Sequence, residues 1–300
     1  MIIVVLFGLG LCLGSFVNAW VWRVYMQSNS SPKKSKSTKS KQPVSGKGEA
    51  EAKAQGVSAR QYSILHGRSM CVHCKHELAW YDLLPVVSWA LLRGKCRYCK
   101  VGVSWQYPLV ELATATLFVL SYIVWPTSLT TSVAWMMFGL WLLILTVFMA
   151  LLVYDLRWMI LPNPMMLVAV ALVAVHTAVA IATGNSGILH ALAMLVASVL
   201  VAGGVFCGLF QISDGRWIGG GDVKLGFVIG VLLYDPFKAF LVLFLASTLG
   251  SLIAVPGLLL KRLDRKSHLP FGPFLIVATI ITYVFGASII AWYKQAILLR

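Results

Sequence analysis

The chain has 300 residues, 59% of them hydrophobic and only 12% charged, about half the charge of a soluble domain. That much apolar surface excludes a water-soluble globule. The net charge of +15 lies in stretches without interleaved aromatic residues, which excludes a nucleic-acid surface and points instead to orientation in an anionic lipid bilayer.

Apolar stretches recur at 2–22, 107–125, 132–154, 164–183, 187–210, 223–235, 237–260 and 271–293. Most approach the roughly 20 residues that a bilayer-spanning helix needs. The fold class they predict is an all-α polytopic membrane protein with about eight transmembrane helices. The sixth stretch is short, and Asp235-Pro236 after it reads either as a boundary or as a break within one longer segment. The first lacks a basic leader and a small-residue cleavage site, so residues 1–23 are expected to form a retained helix.

Residues 24–60 contain a run rich in Ser, Lys and Gly (28–59) that cannot bury enough surface to fold, and they are expected to form a flexible cytoplasmic linker. Residues 61–106 carry aromatics, prolines and four cysteines and predict a small cytoplasmic module; 107–300 form the transmembrane core. Fifteen of the 25 Lys and Arg lie between Arg23 and Lys100, with more at Lys261, Arg262, Arg265 and Lys266. Basic loops stay inside, so the N-terminus is expected outside, with 23–106, 155–163, 211–222 and 261–270 in the cytoplasm.

The module is too small to be held by an apolar core alone. Cys71-Val-His-Cys74 and Cys96-Arg-Tyr-Cys99 form two CxxC turns at the spacing of a four-cysteine zinc ribbon, and a closed site of that kind is structural. The neighbouring Arg68, Lys75, Arg97 and Lys100 are expected to favour the thiolates. Cys12 and Cys207 lie alone in apolar helices and read as core residues, and His176 and His190 have no partner in sequence.

Ten acidic residues are few enough to weigh singly. Asp155, in Tyr154-Asp155-Leu156-Arg157, and Asp222, closing Gly219-Gly220-Gly221-Asp222, both fall at cytoplasmic helix ends and therefore at one depth. Ionisable groups beside membrane spans are costly and mark function. Two carboxylates about 3 Å apart cannot both ionise, so one acts as base on a water while the other polarises a carbonyl. The three glycines allow an extended substrate backbone to approach and permit positive φ, with Lys224 just beyond them. Asp214 reads as part of a turn. Glu111, in the first turn of the second helix, either stabilises the helix dipole or touches a substrate amine.

These residues resemble the bacterial type IV prepilin peptidases in order and kind. The matching segments are Gly14-Ser15-Phe16-Val17-Asn18 with Arg23, then Arg68-Ser69 before the cysteine pairs, then Trp80-Tyr81-Asp82, Ser88-Trp89, Arg93-Gly94, Ser104-Trp105, Tyr107-Pro108 and Glu111. Asp155 with Leu161-Pro162, Gly-x-Gly-Asp ending at Asp222 with Val223-Lys224, and Pro270-Phe271-Gly272-Pro273 complete the set; Asn163 stands where the family often has Asp. The resemblance implies a membrane aspartyl protease of the bacterial cytoplasmic membrane. It implies prepilin and pseudopilin substrates, and S-adenosylmethionine as donor for methylating the new N-terminus. For that donor the groups facing the cytoplasm are the cysteine module and the inner end of helix one, with Asn18 and Arg23. A preflagellin-peptidase-like or presenilin-like protease would lack the cysteine module, and a cation transporter would show inverted repeats, which are not seen.

Overall fold

The structure, a computed structural model, describes residues 1–30, 69–184, 186–260 and 270–298. Most of the expected linker (31–60), together with Arg68 and the cations Lys261, Arg262, Arg265 and Lys266, lies outside the described residues. Eight long helices follow in order: α1 Ile2–Ser30, α2 Gln106–Ile123, α3 Ser132–Trp158, α4 Asn163–Thr183, α5 Ile188–Ile212, α6 Gly220–Leu233, α7 Pro236–Leu259 and α8 Gly272–Leu298. The described residues contain no strand beyond two isolated bridges. Six of the helices, all but α2 and α6, are long and apolar enough to cross a membrane. α2 has 18 residues and carries Gln106 and Glu111 near its start, while α6 has only 14. The protein is a multi-pass membrane protein with six such spans among its described residues. Each of the eight apolar stretches in the sequence falls on a helix.

Local chemistry sets the helix ends. The Thr131 hydroxyl accepts the Ala134 amide at the start of α3 (3.2 Å), and Met159 turns left-handed at its end (φ 53°). Asp235-Pro236 is a true boundary. Tyr234 is left-handed, the Asp235 carboxylate accepts the amides of Phe237 and Lys238 (2.9 and 3.4 Å), and Pro236 occupies the first helical position. α1 continues seven residues past the expected end of the first segment, and Tyr25 in that extension stacks on Trp158 of α3 at 4.2 Å.

α3 is the central helix: 67% of its most apolar window is buried, against 17% for α7. It packs against α1, α2, α4 and α8, while α6 packs against α4, α5, α7 and α8. Outward-facing Leu167, Leu189, Phe240 and Leu252 remain exposed, as a lipid-facing surface requires. Because lipid tails are as apolar as leucine, helices associate here through close packing and polar bonds. A β-carbon on Gly10 or Gly14 would lie 2.5 and 2.6 Å from the Cα atoms of Ala115 and Glu111, so α1 and α2 touch backbone to backbone. Gly226 and Gly230 do the same between α6 and α5, where α5 widens into a π-turn at Leu200–Gly204. Ser198 and Thr177 donate to the carbonyls of Gly230 and Val231 (both 2.8 Å) and clasp the short α6 from two sides. His176, which has no partner nearby in sequence, meets the Tyr283 hydroxyl through Nε2 at 2.8 Å across 107 residues.

The helices alternate in direction. The ends of α1, α3, α5 and α7 and the starts of α2, α4, α6 and α8 therefore share one end of the bundle with the cysteine module.

The glycine contacts predict a graded response on α1. Gly10→Ala and Gly14→Ala should each destabilise the detergent-solubilised protein by about 1–3 kcal/mol through overpacking. Gly8→Ala, which meets nothing within 4 Å, should not. Thermal unfolding of the three variants checks this, and equal melting temperatures would refute the α1–α2 contact.

Candidate functional site

Three helix ends build the site. Asp155 lies in the last turn of α3, 4% exposed, and its carbonyl accepts the Met159 amide that closes the helix (2.8 Å). Asp222 lies in the first turn of α6 behind the glycine run; its amide donates to the Gly219 carbonyl (3.0 Å), and its carboxylate lies on the side of the Gly219 amide. The amide end of the helix favours an anionic group at this position. The third end is that of α8. The Gly272 amide reaches the Asp155 carboxylate, yet Asp155 Oδ2 is buried and receives no well-formed hydrogen bond.

Gly272 brings the two acids together. A β-carbon there would stand 2.5 Å from Asp155 Oδ2 and 3.6 Å from Asp222 Oδ1, so the two oxygens are separated by no more than the sum of those distances. The carboxylates face the amino-terminal ends of α6 and α8, whose exposed amides and partial positive charge favour anionic groups. Two carboxyl groups within reach of one glycine can both contact a single water, which the ionised one can activate as a base.

The neighbouring residues hold the two aspartate-bearing loops together. The Leu161 side chain lies against Gly221, where a β-carbon would come within 3.2 Å of it. Lys224 Nζ donates to Asn163 Oδ1 at 2.8 Å and joins α6 to the start of α4. None of Gly219, Gly220 and Gly221 has positive φ, so the expected left-handed freedom is not used; the want of side-chain volume is what matters, most plainly at Gly221. Glu111 is 5% exposed and accepts the Val86 amide through Oε2 (2.7 Å), tying the cysteine module to α2. Asp214 is a left-handed turn residue (φ 50°) with Arg216 at 3.9 Å. Gly272 stands in the sequence only among the family-like motifs, with no role of its own. Its signal was Pro270-Phe271-Gly272-Pro273, a break just before an apolar helix.

The cysteines meet as their spacing predicts. The sulfurs of Cys71, Cys74, Cys96 and Cys99 lie within 4.8 Å of one another, with Cys71 and Cys99 3.9 Å apart. A tetrahedral zinc with about 2.3 Å bonds to sulfur needs sulfurs roughly 3.8 Å apart, so the donor set fits that ion. The two turns are built alike: the Lys75 amide bonds the Cys71 carbonyl and the Lys100 amide bonds the Cys96 carbonyl, each lysine with positive φ. Burial pushes the Cys71 thiol up to about 11. Burial also works to raise Cys96, but the amides of Cys99 and Tyr98 and the neighbouring thiols outweigh it and bring that group down to about 7. Two of the four cations expected to act here, Lys75 and Arg97, are engaged elsewhere. Lys75 sits over the Trp22 ring (5.5 Å), and Arg97 bonds Asp82 (2.7 Å) and covers Tyr81 (5.0 Å). Burial works to raise the Asp82 carboxyl, but Arg97 and Tyr98 hold it below its usual range.

Residues 8–125 match the family described as the bacterial peptidase A24 N-terminal domain, and residues 141–255 match the type IV leader peptidase family. The chain is similar to the prepilin leader peptidase/N-methyltransferase of Aeromonas hydrophila, 31% identical over 240 residues that cover 80% of this chain and 79% of that protein. It is likewise similar to those of Bacillus subtilis (30%, covering 77% and 87%) and Pseudomonas aeruginosa (30%, covering 96% and 91%). No solved structure matches.

The thiol cluster predicts about one zinc per purified chain by elemental analysis. Replacing Cys71 and Cys74 by Ser should remove it and loosen the module; full metal occupancy in the double variant would refute the site.

Proposed function

The chain belongs to the type IV leader peptidase family, and from that premise we propose that it is a membrane aspartyl endopeptidase and N-methyltransferase. It removes the leader of prepilins and pseudopilins at the cytoplasmic face and then methylates the new N-terminal amine with S-adenosylmethionine. The observation that carries the peptidase reading is the approach of Asp155 and Asp222 to a single glycine, Gly272, at the ends of three packed helices. The basic loops at that end of the bundle support its cytoplasmic orientation. In the division that follows, the first helix, expected over 1–23 and extended to Ser30, anchors the chain, the rest of 24–60 links, 61–106 form the zinc module, and 107–300 carry the peptidase.

Hydrolysis follows from the paired acids. The ionised carboxylate takes a proton from a bound water as the water oxygen attacks the scissile carbonyl. The protonated partner donates its hydrogen to the carbonyl oxygen, which bears the developing charge. Collapse of the tetrahedral carbon breaks the C–N bond, and the amine nitrogen leaves with a proton from the aspartate pair. The helix starts of α6 and α8 hold the pair in position throughout. Gly219, Gly220 and Gly221 leave room for the substrate backbone, and the Lys224–Asn163 tether fixes the loop beside them. The zinc module takes no part in the hydrolysis. If the metal is bound, it supplies the folding energy of a stretch without a core of its own, through Cys71, Cys74, Cys96 and Cys99.

The pair requires both acids, so Asp155→Asn and Asp222→Asn should each abolish leader removal from a prepilin while the protein stays folded and inserted, and Asp214→Asn should cut normally. Gly272→Ala should lower the rate by about 100-fold or more, because its methyl group would displace the Asp155 carboxylate by a fraction of an ångström or more. Mass measurement of the product decides these cases, and normal cleavage by either Asn variant would sink the assignment.

A further inference from the structure

Gly272 brings the aspartates together, so the reaction depends on how deeply α8 sits in the bundle. Most of α8 is apolar, and lipid tails are as apolar as its own side chains, so burial resists sliding along the axis only weakly. Thr279 bonds the Leu275 carbonyl of its own helix (2.7 Å). Among the described residues, Tyr283 is the one α8 side chain hydrogen-bonded to another helix. Its hydroxyl and His176 Nε2 share a bond of 2.8 Å, although α4 and α8 are not among the closely packed helix pairs. We propose that His176 and Tyr283 are positioning residues for hydrolysis, their bond holding α8 at the depth where Gly272 meets Asp155 and Asp222; the proposal rests on the peptidase reading above.

The surroundings of the bond suit that role. His176 is 1% exposed, and its Nδ1 has no partner among the described residues. A half-satisfied imidazole in an apolar bundle is costly, and packing alone does not call for one. The Tyr283 ring lies flat on Trp141 of α3 (3.9 Å, 9°), and buried Trp141 is fixed in turn by its bond to Ser121 of α2 (3.1 Å). The ring is thereby held while its hydroxyl reaches His176. The next residue of α4, Thr177, donates to the Val231 carbonyl of α6 (2.8 Å). Two adjacent residues of α4 therefore bind the two helices whose starts build the site. Val231 is about 14 Å along α6 from Asp222, and Tyr283 is about 16 Å along α8 from Gly272, so both ties lie at nearly one depth. With α4 as their common reference, α6 and α8 are kept in register with each other.

That register is felt at the other end. A β-carbon on Gly272 would stand 2.5 Å from Asp155 Oδ2, so the start of α8 fits the acids without slack. Misplacing a reacting group by about 1 Å costs on the order of 100-fold in rate. An α8 released from its tie needs to slide by less than the roughly 1.5 Å rise of one residue to do so.

The test uses the full chain in detergent micelles with a prepilin substrate and reads kcat and KM for leader removal. Tyr283→Phe keeps the ring on Trp141 and removes only the oxygen. It should lower kcat about tenfold, with KM changed by less than about twofold, because the packing of α8 on α7 remains. His176→Leu should do the same. The Tyr283→Phe/His176→Leu double variant should lose no more than either single one, since all three remove one interaction. His176→Gln, whose amide reaches the Tyr283 hydroxyl, should recover most of the wild-type kcat. Wild-type kcat in Tyr283→Phe, a loss carried by KM, or equal losses in His176→Gln and His176→Leu overturns the positioning role, and so does a double variant whose losses multiply. If His176→Leu does not fold, Tyr283→Phe and His176→Gln decide by themselves. Asp155→Asn in the same assay separates the two readings. Normal cutting by it defeats the peptidase reading and the positioning role with it; where it is inactive, the outcomes above bear on His176 and Tyr283 alone.

Discussion

The structure depends on the accommodation of two carboxylates at the edge of an apolar bundle. Such groups are expensive beside lipid and persist there only where the surroundings compensate them. Here the compensation comes from backbone: the exposed amides of two helix starts, those of α6 and α8, point at the acids, and a glycine stands where any side chain would separate them. α3 supplies the first acid from the most buried helix, α6 supplies the second from the shortest of the eight, and α8 closes over both. The site is therefore an assembly of three chain segments with little freedom of its own, as pre-organised catalysis demands.

That assembly needs close helix contacts, and small residues provide them. The Gly226 and Gly230 contacts set α6 against α5, and hydroxyl bonds from Thr177 and Ser198 fix its depth although it is too short to span by itself. At the other side of α3, Gly10 and Gly14 bring α1 onto α2, which carries Glu111 and through it the cysteine module. The module and the aspartate pair thus share one end of the bundle.

Much of this was legible in the sequence, for identifiable reasons. Apolar length predicts helices almost without tertiary help, and paired CxxC turns carry their geometry locally, so both the helix positions and the sulfur cluster were readable. Asp155 and Asp222 were readable because charge is rare in such a chain. What escaped the reading is what depends on partners distant in sequence. Gly272 gains its meaning only when α8 is laid against α3 and α6. His176 finds Tyr283 across the bundle, and Glu111 turned to a backbone amide of the module. The basic residues beside the cysteines looked like thiolate partners because they adjoin them in sequence, whereas in space Arg97 prefers Asp82 and Lys75 prefers Trp22. The glycine run suggested backbone freedom, which none of the three uses; at Gly221 the missing side chain admits Leu161.

The central claim is that Asp155 and Asp222 act jointly on one reacting carbonyl beside Gly272. The most direct measurement is an experimental structure of the protein with a prepilin peptide whose scissile amide is replaced by a secondary alcohol, a stable stand-in for the tetrahedral intermediate. The account predicts that the alcohol oxygen lies within hydrogen-bond distance, about 2.5–3.0 Å, of carboxylate oxygens from both aspartates. An alcohol held by one aspartate alone, or seated away from Gly272, would contradict it.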